Sequence, residues 1–119
     1  MIYGYARVSS RAQDYTAQVE ALKAAGCEKI YREKKSGKSR DGRPEFGKLM
    51  KVLLPGDTVV VTKLDRLARS SRDLHNLLHE MDGLSVGFRS LGEAWCDTTT
   101  DVGRLMLTIV GALPSSSAA

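Results

Sequence analysis

The stretch Thr58–Thr62, which reads TVVVT, decides the fold class. It is short and rich in β-branched residues, the turn Pro55–Asp57 precedes it, and a polar segment follows it. A run of this kind is typical of a parallel strand that is buried on both faces of a sheet. We therefore take these residues as a central strand and interpret the rest of the chain around them.

Strand-like and helix-like segments alternate on both sides of this strand. The predicted strands are 2–8, 28–31, 58–62 and 86–91, and the predicted helices are 14–25 (capped by Asp14 and stopped by Gly26), 44–54, 71–81 and 101–113. The polar stretch REKKSGKSRDGR, residues 32–43, is predicted to be a mobile surface loop. The alternating order predicts an α/β domain with a mainly parallel central sheet and helices packed against it.

Composition limits the class of protein. The chain has 119 residues, 42% of them hydrophobic and 27% charged, as expected of one globular domain. It carries no long apolar run, and Arg7 interrupts the apolar N-terminus, so we expect neither a membrane span nor a signal peptide. The net charge of +4 weakly indicates a nucleic-acid partner. Cys27 and Cys96 suggest reduced thiols of a cytoplasmic protein, although a disulfide between them stays open.

Unusual chemistry follows two of the predicted strands. The first strand runs into Arg7-Val8-Ser9-Ser10, and the third runs into KLDRLARS, Lys63–Ser70. Functional groups in open parallel sheets collect beyond the carboxyl ends of the strands. If these two strands are neighbours, we expect four charged residues to lie close to Ser9. They are Arg7, Asp65, Arg66 and Arg69, and Arg43 at the end of the polar loop is a further candidate.

Each of these residues has an ordinary structural explanation when it is taken alone. Ser9 and Ser10 fit helix caps or turn residues, the arginines fit a solvated basic surface, and Asp65 fits a salt bridge or a cap. The combination points to phosphodiester chemistry. A planar guanidinium group can bind two non-bridging phosphate oxygens at once, and it stabilises the charge that develops during phosphoryl transfer.

Four stretches of the chain resemble one known family. They are YGYARVSS, SGKSRDGRPEF, GDTVVVTKLDRLARS and DTTTDVGRLMLTIVGAL. In this order and spacing they look like the catalytic domain of the serine recombinases, the resolvase and DNA-invertase family, over about Ile2–Leu113. The resemblance implies an enzyme that cleaves and rejoins DNA through a 5′-phosphoserine intermediate, without a metal or cofactor. The result would be site-specific recombination of DNA, either inversion or resolution.

The resemblance also implies roles for individual residues. Ser9 matches the nucleophile, and Asp65 matches a candidate proton donor to the leaving oxygen. The residues matching the arginine cluster around the scissile phosphate are Arg7, Arg43, Arg66 and Arg69. The supporting residues are Gln13, Gln18, Glu33 and Ser36, of which the last two match the loop around the Ser-Gly pair. No general base for Ser9 is evident.

The end of the chain departs from the family pattern. Pro114 is expected to break the last helix, so the domain is expected to span residues 1–113 and residues 114–119 to form a disordered tail. We expect no C-terminal helix-turn-helix domain in this sequence. The implied partners are DNA and a homodimer or tetramer, which the shortened helix would weaken, with no membrane partner. The implied location is the cytoplasm, at the bacterial nucleoid.

Two other functions stay open at this stage. A truncated, catalytically silent remnant would act as an interaction or dimerisation module. A phosphate- or nucleotide-binding module is less well supported, because the turn after the first strand has no glycine. The pair His75 and His79 has helical spacing, but it lacks further ligands, so no metal site is predicted.

Overall fold

Four strands and four helices alternate along the part of the chain that the structure describes. The computed structural model describes residues 1–8, 12–34, 44–64, 71–93, 95–109 and 111. The strands are β1 (Ile2–Val8), β2 (Lys29–Lys34), β3 (Thr58–Val61) and β4 (Gly87–Ser90). The helices are α1 (Ala12–Ala24), α2 (Pro44–Val52), α3 (Ser71–Gly83) and α4 (Asp101–Ile109).

The strands form one sheet in the order β2-β1-β3-β4, and each neighbouring pair is parallel. Tyr5 of β1 pairs with Tyr31 of β2 on one side and with Val61 of β3 on the other. This topology confirms the predicted α/β class, because parallel neighbours need a crossover and each crossover here contains a helix. The strand TVVV is interior, as its β-branched composition predicted.

Both faces of the sheet are covered. Tyr3, Tyr5, Val59 and Val61 lie on the face that packs against α2, α3 and α4, in one large apolar cluster. Their neighbours in the strands, including Ala6 and Val60, point to the other face, where Leu22 of α1 covers them. Side chains alternate between faces along a strand, so a doubly covered sheet needs the continuous apolar runs seen in the sequence.

Several predicted boundaries differ from the structure. β2 extends to Lys34, so the prediction of a loop from Arg32 onward is wrong for its first three residues. The backbone ladder with β1 continues through the pair Val8 and Lys34, and such pairing does not require apolar side chains. Helix α1 begins at Ala12, two residues before the predicted cap, and α2 ends at Val52 instead of about Leu54. The rest of the predicted loop, residues 35–43, lies outside the described residues.

Helix α4 has one buried and one exposed face. Leu107, which the sequence analysis did not select, is fully buried in the main cluster, and Gly103 is also buried. The apolar residues that helical spacing predicts to form the buried face of this helix are largely exposed instead, at 72% for Val102, 60% for Leu105 and 70% for Ile109. The predicted continuation to Leu113 and the tail at 114–119 lie beyond the described residues.

The start of α4 is fixed by polar contacts. The Gly103 N–H donates to Thr100 Oγ1 at 3.0 Å, which caps the first turn. The Arg104 guanidinium binds the Asp82 carboxylate of α3 at 3.0 Å.

In the part of the chain that the structure describes, no helix has the length and apolar character needed to cross a bilayer.

Candidate active site

The sheet brings together the two strand ends that the sequence analysis selected. β1 and β3 are hydrogen-bonded neighbours, and Tyr5 pairs with Val61 near their carboxyl ends. Arg7 and the segment that follows Val61 therefore leave the sheet at the same edge. This pairing confirms the adjacency on which the predicted site depends.

Part of the predicted site lies within the described residues. These members are Arg7, which is partly buried, together with Gln18 and Glu33, which are buried. Gln13 belongs to the first turns of α1. The remaining predicted members lie outside the described residues: Ser9, Ser36, Arg43, Asp65, Arg66 and Arg69.

Gln18 connects the ends of β1 and β3 from helix α1. Its Nε2 donates to the Arg7 carbonyl oxygen at 3.3 Å, and its Oε1 accepts from the Thr62 hydroxyl at 3.4 Å. The side chain is only 5% exposed, so both ends of the amide need these partners. Gln18 thus holds residues that stand directly before the two segments carrying Ser9 and the KLDR motif.

Glu33 connects β1, β2 and α2. It is 3% exposed, and its Oε1 accepts a 2.6 Å hydrogen bond from the Tyr5 hydroxyl. Its Oε2 accepts from the backbone N–H of Glu45 at 3.2 Å, in the first turn of α2. A carboxylate at a helix N-terminus is favourable because the free N–H groups there carry partial positive charge. Glu33 belongs to a strand, so its assignment to a loop is wrong, but it lies only two residues before the segment 35–43.

Glu93 connects the end of β4 to the segment after β3. Its Oε1 accepts from the Leu64 N–H at 3.0 Å and from the Ser90 hydroxyl at 2.8 Å. Leu64 is the residue immediately before Asp65. The carboxylate therefore fixes the point from which the KLDR motif continues.

Sequence reasoning missed Tyr5, Thr62 and Glu93 as parts of this edge. Tyr5 carried a usable signal, because it lies two residues before Arg7 in a strand and so shares its face. Thr62 and Glu93 carried none, since their partners are an amide side chain and a backbone N–H that are distant in sequence.

Neither cysteine is suited to act as a nucleophile here. Both thiols are free. Burial, with a smaller contribution from the Glu93 and Asp97 carboxylates, raises the pKa of Cys96 to about 12. Burial also raises the pKa of Cys27, to about 11, against the opposing effect of Arg89. A thiol with such a pKa stays protonated and unreactive at neutral pH.

The histidine pair of α3 is not joined by a further His, Cys, Asp or Glu ligand among the described residues. His75 is partly exposed and His79 is exposed. Across the described ranges, no three or more His, Cys, Asp or Glu side chains are grouped so that they could hold a metal ion.

The chain is similar to proteins whose names agree with this arrangement. It is 45% identical over 113 residues to a DNA-invertase of Escherichia phage P1, and 43% identical over 113 residues to the serine recombinase gin of Escherichia phage Mu. Each match covers 95% of this chain, but 60% and 58% of the respective relative, so the chain spans less than two thirds of their length.

A solved structure supports the same relationship. The N-terminal catalytic domain of TP901-1 integrase superimposes with a TM-score of 0.73 at 30% identity, covering 93% of this chain and 91% of that one. The family model for the resolvase N-terminal domain matches residues 2–118. The chain therefore belongs to the resolvase family, and residues 2–118 correspond to the N-terminal domain of that family.

Proposed function

We propose that this chain is the catalytic domain of a serine recombinase that cuts and rejoins DNA. The observation that carries the proposal is the parallel pairing of β1 with β3, which brings Arg7 to the same edge of the sheet as Thr62, the residue before the KLDR motif. Relatives named DNA-invertase and serine recombinase, which align with 95% of the chain, support it.

In the proposed reaction the Ser9 hydroxyl attacks a DNA phosphodiester. Its oxygen forms a bond to phosphorus and loses its proton, while the bond from phosphorus to the 3′ oxygen breaks. The 3′ oxygen takes up a proton, for which Asp65 is the proposed donor. The product is a 5′-phosphoserine link and a free 3′-hydroxyl, and rejoining reverses these steps. The number of phosphate ester bonds is conserved, so the exchange needs no ATP.

The proposed roles of the other residues follow from charge and position. Four arginines bind the scissile phosphate and stabilise its transition state: Arg7, Arg43, Arg66 and Arg69. Gln13, Gln18, Glu33 and Ser36 support the site without taking part in bond making. Within the described part, Gln18 and Glu33 fit a supporting role because both are buried and hydrogen-bonded at the edge where Arg7 lies.

We also propose that the chain acts as a homodimer or tetramer on DNA, at the bacterial nucleoid. The outward side of α4 supports association, because Val102, Leu105 and Ile109 expose most of their apolar surface. Exposed apolar surface of this kind is usually covered by a partner. The net charge of +4 is compatible with a DNA backbone as the second partner.

The proposal is tested by trapping the covalent intermediate. The chain is fused after Ala119 to a zinc-finger reader and mixed with duplexes that carry two reader sites around a randomised centre. Protein–DNA adducts are recovered after denaturation, and their DNA is sequenced. Ser9→Ala should abolish the adduct, because no oxygen remains to attack phosphorus.

Ser10→Ala is the matched control, since it removes the neighbouring hydroxyl and should leave the adduct in place. An adduct that survives Ser9→Ala would place the nucleophile elsewhere. A folded fusion that forms no adduct on any sequence would instead favour a catalytically silent interaction module.

A further inference from the structure

The turn after β4 is bound closely to the segment after β3. The Leu91 N–H donates to the Val61 carbonyl at 2.9 Å, and the Gly92 N–H donates to the Thr62 carbonyl at 2.8 Å. The Leu64 N–H then donates to Glu93 Oε1 at 3.0 Å. These three bonds extend the contact between the two strands past the end of the regular ladder.

The close approach of the two segments depends on glycine. A Cβ atom at Gly92 would lie 2.9 Å from the Thr62 carbonyl oxygen and 3.0 Å from Lys63 Cγ. Any other residue would push these two segments apart. Because Gly92 has no side chain, the turn can approach residues 62–64 closely. It binds them through the Gly92 N–H, which donates to Thr62, and through the Glu93 carboxylate, which accepts from Leu64.

The Glu93 carboxylate is itself held in place. The Ser90 hydroxyl donates to the same Oε1 at 2.8 Å, and Ser90 is only 4% exposed. The Glu93 carbonyl accepts from the Cys96 N–H at 2.9 Å, and the Cys96 carbonyl accepts from the Ser90 N–H at 3.1 Å. An acceptor fixed from two sides determines where its donor lies, so the position of Leu64 is set by the turn.

The same segment is also connected to the end of β1. Thr62 binds Gln18, and Gln18 binds the Arg7 carbonyl. Hydrogen bonds thus connect Glu93 to the backbone segment 62–64, and this segment through Gln18 to Arg7. It joins the carboxyl ends of β4, β3 and β1 at one edge of the sheet.

We infer that Glu93 is a positioning residue for the proposed DNA cleavage, acting through the Leu64 N–H and oriented by Ser90. The inference rests on the proposed function, because it assigns the residues after Leu64 a part in the reaction. Phosphoryl transfer depends on the placement of charged groups, and a displacement of about 1 Å can slow a reaction roughly a hundredfold. A carboxylate that fixes the chain one residue before Asp65 is well placed to control such a displacement.

The first test needs no DNA. Amide hydrogen exchange is measured by NMR on the 119-residue chain and on Glu93→Ala, with Glu80→Ala as control because Glu80 is exposed on α3. In Glu93→Ala the Leu64 amide should exchange about tenfold faster or more, while amides inside β3 keep their protection. An unchanged Leu64 amide would overturn the inference.

The second test measures the chemical step. In the adduct assay at saturating DNA, Glu93→Ala should lower the rate of adduct formation roughly a hundredfold, with DNA affinity and melting temperature close to those of Glu80→Ala. Glu93→Gln should retain most of the rate, because its amide oxygen still accepts from Leu64 and Ser90. A wild-type rate in Glu93→Ala, or a loss that follows only the melting temperature, would overturn the positioning role.

The two tests separate this inference from the proposed function. Absence of any adduct from the wild-type chain overturns the proposed reaction and, with it, a role for Glu93 in that reaction. The exchange measurement still decides whether Glu93 fixes Leu64, since it does not depend on DNA.

Discussion

The sheet has an amino edge, where its parallel strands begin, and a carboxyl edge, where they end, and the two use polar side chains in different ways. At the amino edge a single carboxylate, Asp57, accepts from the Leu54 N–H at 2.9 Å and from the N-terminal ammonium at 3.1 Å. It closes the turn before β3. At the carboxyl edge three side chains share the task, because Gln18, Glu33 and Glu93 each join different elements or the segments that follow them. The amino edge thus depends on one carboxylate that holds a turn and the chain terminus, whereas the carboxyl edge uses several side chains to hold chain segments in fixed relative positions.

The largest expected effect at the carboxyl edge comes from Glu33→Ala. It removes the carboxylate that accepts from the Tyr5 hydroxyl in the buried interior and from the partly buried Glu45 N–H. The free energy of unfolding should fall by about 3 kcal/mol, since hydrogen bonds to a charged group contribute roughly 1.5–3 kcal/mol each and partly overlap in their effect. Urea denaturation measures the change.

A double-mutant cycle with Tyr5→Phe sharpens this result. The two substitutions should be strongly non-additive, because they remove the same 2.6 Å bond. Additive losses would mean that the Tyr5–Glu33 bond contributes little, and the proposed contrast between the edges would lose its best-buried example.

A smaller effect is expected at the amino edge, and it should depend on pH. The Leu54 N–H, with the N-terminal ammonium, holds the pKa of Asp57 below its ordinary value despite an opposing effect of burial. A carboxyl with a lowered folded-state pKa stabilises the fold above its unfolded pKa, and the contribution is lost as pH falls through the folded value. Asp57→Asn should therefore be less stable than wild type near neutral pH, and the difference should shrink below about pH 4.

Urea denaturation of both proteins at several pH values checks this dependence, with Glu80→Gln as a control at an exposed site. A stability difference that stays constant down to strongly acidic pH would show that the charge of Asp57 does not contribute, and that the turn is held by geometry alone.

The smallest expected effect concerns the two thiols, one near each edge. Cys27 precedes β2 at the amino edge and is partly exposed, whereas Cys96 follows β4 and is fully buried. Iodoacetamide at pH 8 should therefore modify Cys27 first, and Cys96 about tenfold more slowly or less, because its reaction requires local opening. Mass spectrometry of Cys27→Ser and Cys96→Ala separates the two rates. Equal rates would mean that the carboxyl edge opens as readily as the amino edge.

The parts of the fold that were predictable from sequence are those set by periodicity. TVVVT predicted the interior strand because burial on both faces requires a continuous apolar run. The end of β2 was not predictable in this way. Arg32–Lys34 are polar and read as a loop, yet their backbone pairs with β1. Leu107 was missed because it lies on the opposite side of α4 from the more conspicuous apolar residues, which are exposed.

The candidate site was predictable only where residue type carries the chemistry. Arg7 and Gln18 were selected and lie at the expected edge, where the Gln18 side chain donates a hydrogen bond to the Arg7 carbonyl oxygen. Glu93 was not selected, because its partner is a backbone N–H, and every residue except proline has one. Side chains that hold the backbone in place leave no pattern in the sequence, so this layer of the site is visible only in three dimensions.

The strand order has a consequence for synthesis of the chain. β1 is made first, yet it lies in the interior of the sheet between β2 and β3. On the ribosome β1 can pair with β2 early. The hydrogen-bonding groups on its other side stay unpaired until β3 has been synthesised. Open apolar strand edges invite pairing with other chains. The nascent chain thus passes through a stage in which an interior strand of the final sheet has one side unpaired, and a chaperone that shields Ile2–Val8 during that interval would protect the yield of folded protein.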